Sequence, residues 1–231
     1  MNHLTRYLST TNARQRETVI REAKFQKKVP VSVYGQAKKA IQSFFPHGAG
    51  NLAYFDDILA RLDAKARRDE AARDEALRCI RGIDAFGALY SQKRWTNLEF
   101  GPAIADLALK VGPVAINIRL DATISQSGAD GTLNSGGLVL FLARTPESRK
   151  NIEARRRQVA SLILWGLEEQ GNIEPLPRLC MSFDAFGETI TKATDAQSTF
   201  RSTVESSCRE AASMWDAIEP PEDYDGPDWR S

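Results

Sequence analysis

Histidine is nearly missing from this chain, with His3 and His47 the two in 231 residues. Imidazole is the commonest base and metal ligand near neutral pH, so this scarcity excludes histidine-rich metal centres and leaves few general-base mechanisms. Cysteine is almost as sparse. Cys79, Cys180 and Cys208 are odd in number, far apart and never in a CxxC spacing, which argues against a disulfide framework and a zinc knuckle and for buried free thiols. Long apolar runs are lacking too. The best candidate, around residues 160–167, falls well short of the roughly 18 residues that span a bilayer, and residues 1–11 are too polar for a signal peptide. A cytoplasmic protein with no membrane partner is expected. Neither G-x-x-x-x-G-K-[ST] nor G-x-S-x-G occurs. Gly48-Ala49-Gly50-Asn51-Leu52-Ala53 fits G-x-G-x-x-A, but it follows a helical pattern and Pro46 instead of a strand, so a dinucleotide site is excluded.

What is present is the composition of a folded domain, 42% hydrophobic and 26% charged, which is too apolar for disorder. A net charge of +1 gives no overall pull on nucleic acid, yet the charges are unevenly placed. Arg6, Arg14, Arg16, Arg21, Lys24, Lys27, Lys28, Lys38 and Lys39 outnumber Glu17 and Glu22 at the basic start. Asp216, Glu219, Glu222, Asp223, Asp225 and Asp228 make the other end acidic, and Pro220, Pro221 and Pro227 block regular structure there. The expected organisation is a basic helical region over 1–62, an α/β core over 63–216 and a disordered acidic tail over 217–231.

Hydrophobic periodicity places the elements. Asn12 is an N-cap for a helix to about Phe25, and Tyr34, Ala37, Ile41 and Phe44 share one face of a second that Pro46 ends. Residues 52–90 are helical, with a middle stretch from Lys65 to Glu75 that is either a solvated helix or a break. After Trp95 the period changes to 2. Leu107, Leu109 and Val111 form a strand, Gly112-Pro113 a turn, and Val114, Ile116, Ile118, Leu120 and Ile124 one half-buried strand. Residues 125–137 read as a mobile hairpin loop, and 138–143 as a central strand. Thr145 and Pro146 start a long helix to about Gln170, followed by a strand at 179–183, a short edge strand at 189–192 and a helix through Phe200, Val204, Cys208, Ala211 and Trp215. The fold class is therefore α/β (α+β), with helices first, then a three-strand meander, a long helix, one or two further strands and a C-terminal helix.

From Arg68 to Ala185 this order resembles the core of the PD-(D/E)XK nuclease superfamily, in its RecB-like branch, over about half of the chain. The resemblance puts Asp121, in Arg119-Leu120-Asp121, at the family's second-strand aspartate. Leu142-Ala143-Arg144-Thr145 falls at its D-x-K-T, and Gln158 at its helix glutamine. A hairpin centred near Gly131 sets Asp121 opposite Phe141 or Leu142. Family members hold Mg²⁺ on paired acids and orient water with lysine, whereas Leu142 has no oxygen ligand and Arg144 does not give up a proton. A catalytically degenerate relative without a cofactor is implied, acting in nucleic-acid processing or defence against mobile DNA.

Three functions follow from different residues. Arg144, Arg149, Lys150, Arg155, Arg156 and Arg157 crowd the first turns of the long helix, against the preference of the helix dipole, and read either as a nucleic-acid patch or as a solvated face balanced by Glu147 and Glu153. The acidic tail, carrying Trp229, reads as a segment for docking a protein partner. A divergent Mg²⁺-dependent nuclease would gather Glu99, Asp121 and Asp184. Asp121 also reads as a polar-face residue without a function, paired with Arg119 or with a cross-strand partner.

Overall fold

The computed structural model describes residues 1–25, 34–93, 95–128, 131–143, 149–171, 174–224 and 226. Helices come first: α1 (Asn2–Leu8), α2 (Ala13–Lys24), α3 (Gly35–Gly48), a 3-10 turn (Leu52–Phe55), α4 (Asp56–Arg68) and α5 (Glu70–Ser91). Then follow β1 (Glu99–Gly101), β2 (Ile104–Val111), β3 (Val114–Leu120), β4 (Ala122–Ser127), β5 (Leu133–Phe141), α6 (Arg149–Glu169), β6 (Glu174–Asp184), β7 (Thr189–Lys192) and α7 (Ser198–Trp215). Among the described residues no helix is long and apolar enough to cross a membrane.

The mixed α/β class is as expected, but the strands are divided between two sheets. A five-stranded sheet has the order β1-β4-β5-β6-β7, and β2 and β3 form a separate antiparallel pair. Within the larger sheet β1, β4 and β5 are antiparallel neighbours, β6 is parallel to β5 after the α6 crossover, and β7 closes the far edge antiparallel to β6. The period-2 alternation sorts side chains between two layers. Leu138, Leu140 and Leu142 join α3, α4 and α5 in one apolar cluster with Met181 and Phe183. Val139 and Cys180 point the other way, to α6, α7 and the β2–β3 pair. The run from Val159 to Leu167 is buried on all sides because α6 lies between the large sheet and that pair.

Several expectations need correction. Residues 114–124 do not form one strand, since the chain changes sheets at Asp121, between Leu120 and Ala122. The loop read at 125–137 is shorter, as β4 runs to Ser127 and β5 begins at Leu133. Pro46 does not end α3. It sits in the last turn, where its missing N–H removes one bond and the helix continues to Gly48. The boundary near residue 62 crosses one packed cluster, because Ile41, Phe44 and Leu62 touch the same core as Leu140 and Phe183. The stretch from Lys65 to Glu75 is a break at Asp69, whose carboxylate accepts from Ala72 N and starts α5. The start of the acidic segment is not a loose tail, since Ile218 is buried and Tyr224 packs edge-on against Phe25. Thr145-Pro146 and Trp229 lie outside the described residues.

Two glycines test the packing in opposite directions. Gly136 lies where β5 and β6 shift register, and a Cβ there would overlap the Leu179 carbonyl of the neighbouring strand. Gly136→Ala is expected to lower stability by about 1–3 kcal/mol, the usual penalty for overpacking. Gly87, inside α5, would place a Cβ in ordinary contact at 3.8 Å from Leu52. Gly87→Ala is expected to raise stability by up to about 1 kcal/mol through helix propensity. Urea unfolding followed by circular dichroism measures both.

Candidate functional site

Where the chain passes from β3 to β4, the ladder against β5 loses its next strand carbonyl. Asp121 N still donates to Leu138 O at 2.7 Å, but the following N–H, of Leu140, donates to the Asp121 side chain, Oδ2, at 2.7 Å. The carboxylate has taken the place of a backbone acceptor. Its other oxygen, Oδ1, accepts from Gln42 Nε2 at 2.7 Å and faces Lys38 Nζ at 3.0 Å, both from α3. With 1% of its surface exposed, Asp121 is a buried anion satisfied by three donors. Its neighbours on β5 are Leu138 and Leu140 instead of Phe141 or Leu142, and its charge partner is Lys38, not Arg119.

Asp184 ends β6 in a comparable way on the other side of the sheet. Its Oδ2 accepts from Arg156 Nε at 2.8 Å and Nη2 at 2.7 Å, and its Oδ1 accepts from Gly187 N at 2.9 Å. Both partners are buried, and the guanidinium carbon lies 3.4 Å from the centre of the Phe141 ring. Ser182 Oγ donates to Arg156 O, anchoring the same turn of α6 to β6. The Arg156–Asp184 pair therefore staples α6 to the sheet.

These contacts separate the carboxylates expected to converge. Asp121 is held from α3 and Asp184 from α6, which cover opposite faces of the sheet. Glu99 is exposed on the edge strand β1, opposite Ser125 and away from the Asp121 end of β4. Among the described residues no group of three or more His, Cys, Asp or Glu side chains could hold a metal ion. Leu142 is buried among apolar side chains, and Gln158 is half-buried, 3.5 Å from Ser9 Oγ.

The basic cluster also divides. Lys150 and Arg157 are exposed on α6, Arg155 is half-buried and Arg156 is buried in its ion pair, so Arg156 is removed from any surface patch. Arg144 and the Arg149 side chain lie outside the described residues. At the N-terminal end Arg6 pairs with Glu22, Arg16 with Glu210 and Arg21 with Glu17, so much of the positive charge there is met locally.

One feature had no sequence signal beyond scattered apolar residues. A cavity of about 530 Å³ opens between α1, α2, α7 and the β2–β3 turn. His3 of α1 and Trp215 of α7 line it. Burial pushes the Cys208 thiol at its wall up to about 11 and the Cys180 thiol, on the sheet, up to about 12, so neither is a ready nucleophile. Comparison with family models, with curated proteins and with solved structures finds no match for the chain.

The two buried carboxylates make a specific stability prediction. Asp121→Ala is expected to lower stability by about 2 kcal/mol, chiefly through the orphaned Leu140 N–H. Arg156→Gln is expected to cost about 3–5 kcal/mol by leaving Asp184 buried without its cation, and adding Asp184→Leu to Arg156→Met to recover most of that. Urea denaturation of the variants provides the test. A rise in stability for Asp121→Ala, the behaviour of an acid held in place for a ligand, contradicts the structural assignment.

Proposed function

We propose that this chain is a catalytically degenerate, nuclease-like cytoplasmic protein that binds nucleic acid without cutting it, in nucleic-acid processing or in defence against mobile DNA. The single observation that carries this reading is that Asp121 and Asp184 are each neutralised by the chain's own donors, on opposite faces of the sheet. A hard divalent cation needs several oxygen ligands converging on one point. Here two of the candidate acids are diverted into ion pairs and the third, Glu99, stands apart on an edge strand.

Strand order supports the nuclease-like half of the proposal. Helix α5, antiparallel β1, β4 and β5, crossover α6 and parallel β6 follow the order that the family resemblance implies, with the β2–β3 pair inserted after the first strand. Fold alone does not assign chemistry, and degeneration of the acids argues for a binding role over a catalytic one. The binding surface proposed is the exposed side of α6. Lys150 and Arg157 are seven residues apart, two helical turns, and so lie on one face where both can reach phosphates.

Phosphate contacts give affinity a characteristic salt dependence. Fluorescence anisotropy with a labelled DNA duplex of about 20 base pairs and a single-stranded RNA is expected to show micromolar binding that weakens steeply with salt. The double variant Lys150→Gln, Arg157→Gln is expected to reduce the slope of log affinity on log salt by about 2. Absence of salt-dependent binding, or an unchanged slope in the variant, overturns the binding surface. Cleavage in Mg²⁺ or Mn²⁺ that disappears in Asp121→Asn overturns the non-catalytic assignment.

A further inference from the structure

We propose that the cavity between α1, α2, α7 and the β2–β3 turn binds a small, uncharged and largely apolar molecule that carries a hydroxyl group. This inference rests on the cavity alone and is independent of the nucleic-acid reading.

At about 530 Å³ the cavity lies within the roughly 300–1,000 Å³ usual for small-molecule sites. Its walls are mostly apolar, with Val19 of α2, Ile116 of β3 and Ala212 of α7 on three sides. Small residues on α7 leave the space open, since Ala211 and Ala212 face it where larger side chains would fill it. Wall chemistry of this kind favours an apolar guest over water.

Two polar atoms of the lining, His3 Nδ1 and Tyr7 Oη, are buried and have no hydrogen-bond partner among the described residues, an uncommon state for buried polar groups. Burial and, after it, the nearby Arg6 push the His3 pKa below its usual value, which keeps the imidazole neutral, with one nitrogen a donor and the other an acceptor. A hydroxyl can both donate and accept, so it satisfies Nδ1 in either tautomer. Tyr7 Oη, also on α1, can meet the same hydroxyl. Burial and its interaction with Glu210 push its phenol up to about 12, so it stays neutral.

Charge complementarity excludes the other guests. Among the described residues no arginine or lysine lines the cavity, burial pushes the pKa of the lining Met1 ammonium below its usual value and that group faces Asn117 O at 3.5 Å, and Asp216 repels an anion. A cationic guest would seek the aromatic faces, but the Arg16 guanidinium already lies 5.2 Å from the Tyr7 ring and Lys24 Nζ lies 5.9 Å from the Trp215 ring.

Naphthalen-2-ol and naphthalene, which differ by the hydroxyl alone, are suitable probes for calorimetry on the full chain near neutral pH. Naphthalen-2-ol is expected to bind at one saturable site, about tenfold more tightly than naphthalene. His3→Phe is expected to remove that tenfold preference, and Ala212→Trp and Ala211→Phe to abolish binding of both probes while circular dichroism stays unchanged. Amide NMR shifts on the unmodified chain supply a second measurement should those α7 variants fail to fold, with changes expected at residues 3–23, 113–116 and 208–216. No saturable binding, binding that survives the filled cavity, or shifts confined to other residues overturns the site. A hydroxyl preference that persists in His3→Phe overturns the role of His3.

Discussion

The architecture depends on how the chain changes sheets at Asp121. An antiparallel strand that leaves its sheet strands the next N–H of its neighbour, and a buried N–H without an acceptor costs about 1–3 kcal/mol. The Asp121 carboxylate answers that need for Leu140 and in doing so becomes a buried anion, which would be worse than the original problem if left alone. Gln42 and Lys38 resolve it from α3. One side chain therefore joins β4, β5 and α3 at the point where the β2–β3 pair splits off, and the α3 layer and the insertion depend on the same contact.

The other face carries a matching device of different composition. Lys38 is partly exposed, so solvent screens its attraction to Asp121 and hydrogen bonding dominates there. Arg156 and Asp184 are both almost wholly buried, and the guanidinium is additionally seated on Phe141. A buried pair of that kind adds little net stability over an apolar substitute, yet breaking it is severe, so it acts mainly to fix where α6 sits on β6. Each layer of helices is thus registered to the sheet by one buried carboxylate. That arrangement commits both carboxylates to the chain's own donors, on opposite faces of the sheet.

Much of this fold was legible in the residues, and the failures have identifiable causes. The Asn12 cap, the edge strand at β7, the all-round apolar α6 and the α7 face follow from local pattern alone. The break at Asp121 does not, because Leu120, Ala122 and Ile124 continue an unbroken alternation while Leu120 packs in one cluster and Ala122 in the other. Alternation reports that a residue is buried, not which layer receives it. The ligation of Asp121 was invisible for a simpler reason, since Gln42 is 79 positions away. Arg155, Arg156 and Arg157, by contrast, held a usable signal. Successive helical residues are rotated by roughly 100°, so three in a row sweep about 200° and cannot all share a solvated face. One of them had to turn inward on a helix whose later turns are buried, and Arg156 does.

The cavity was hidden because its boundary is set by a contact no pattern reveals. Lys24, at the end of α2, is buried with Nζ donating to the O of Trp215, the last residue of α7, and to Ile218 O just beyond it at 2.8 Å. A cation at a helix C-terminus is favoured by the dipole as well as by the bonds. Held there, with Ile218 buried and Tyr224 against Phe25, the end of α7 is tied to the far end of α2. Collapse of Ala211 and Ala212 toward His3 and Ile116 would require α7 to shift and that buried ammonium to lose its acceptors. The void is therefore maintained by a polar clasp beside it, and the first residues of the acidic segment are part of the clasp instead of a free tail.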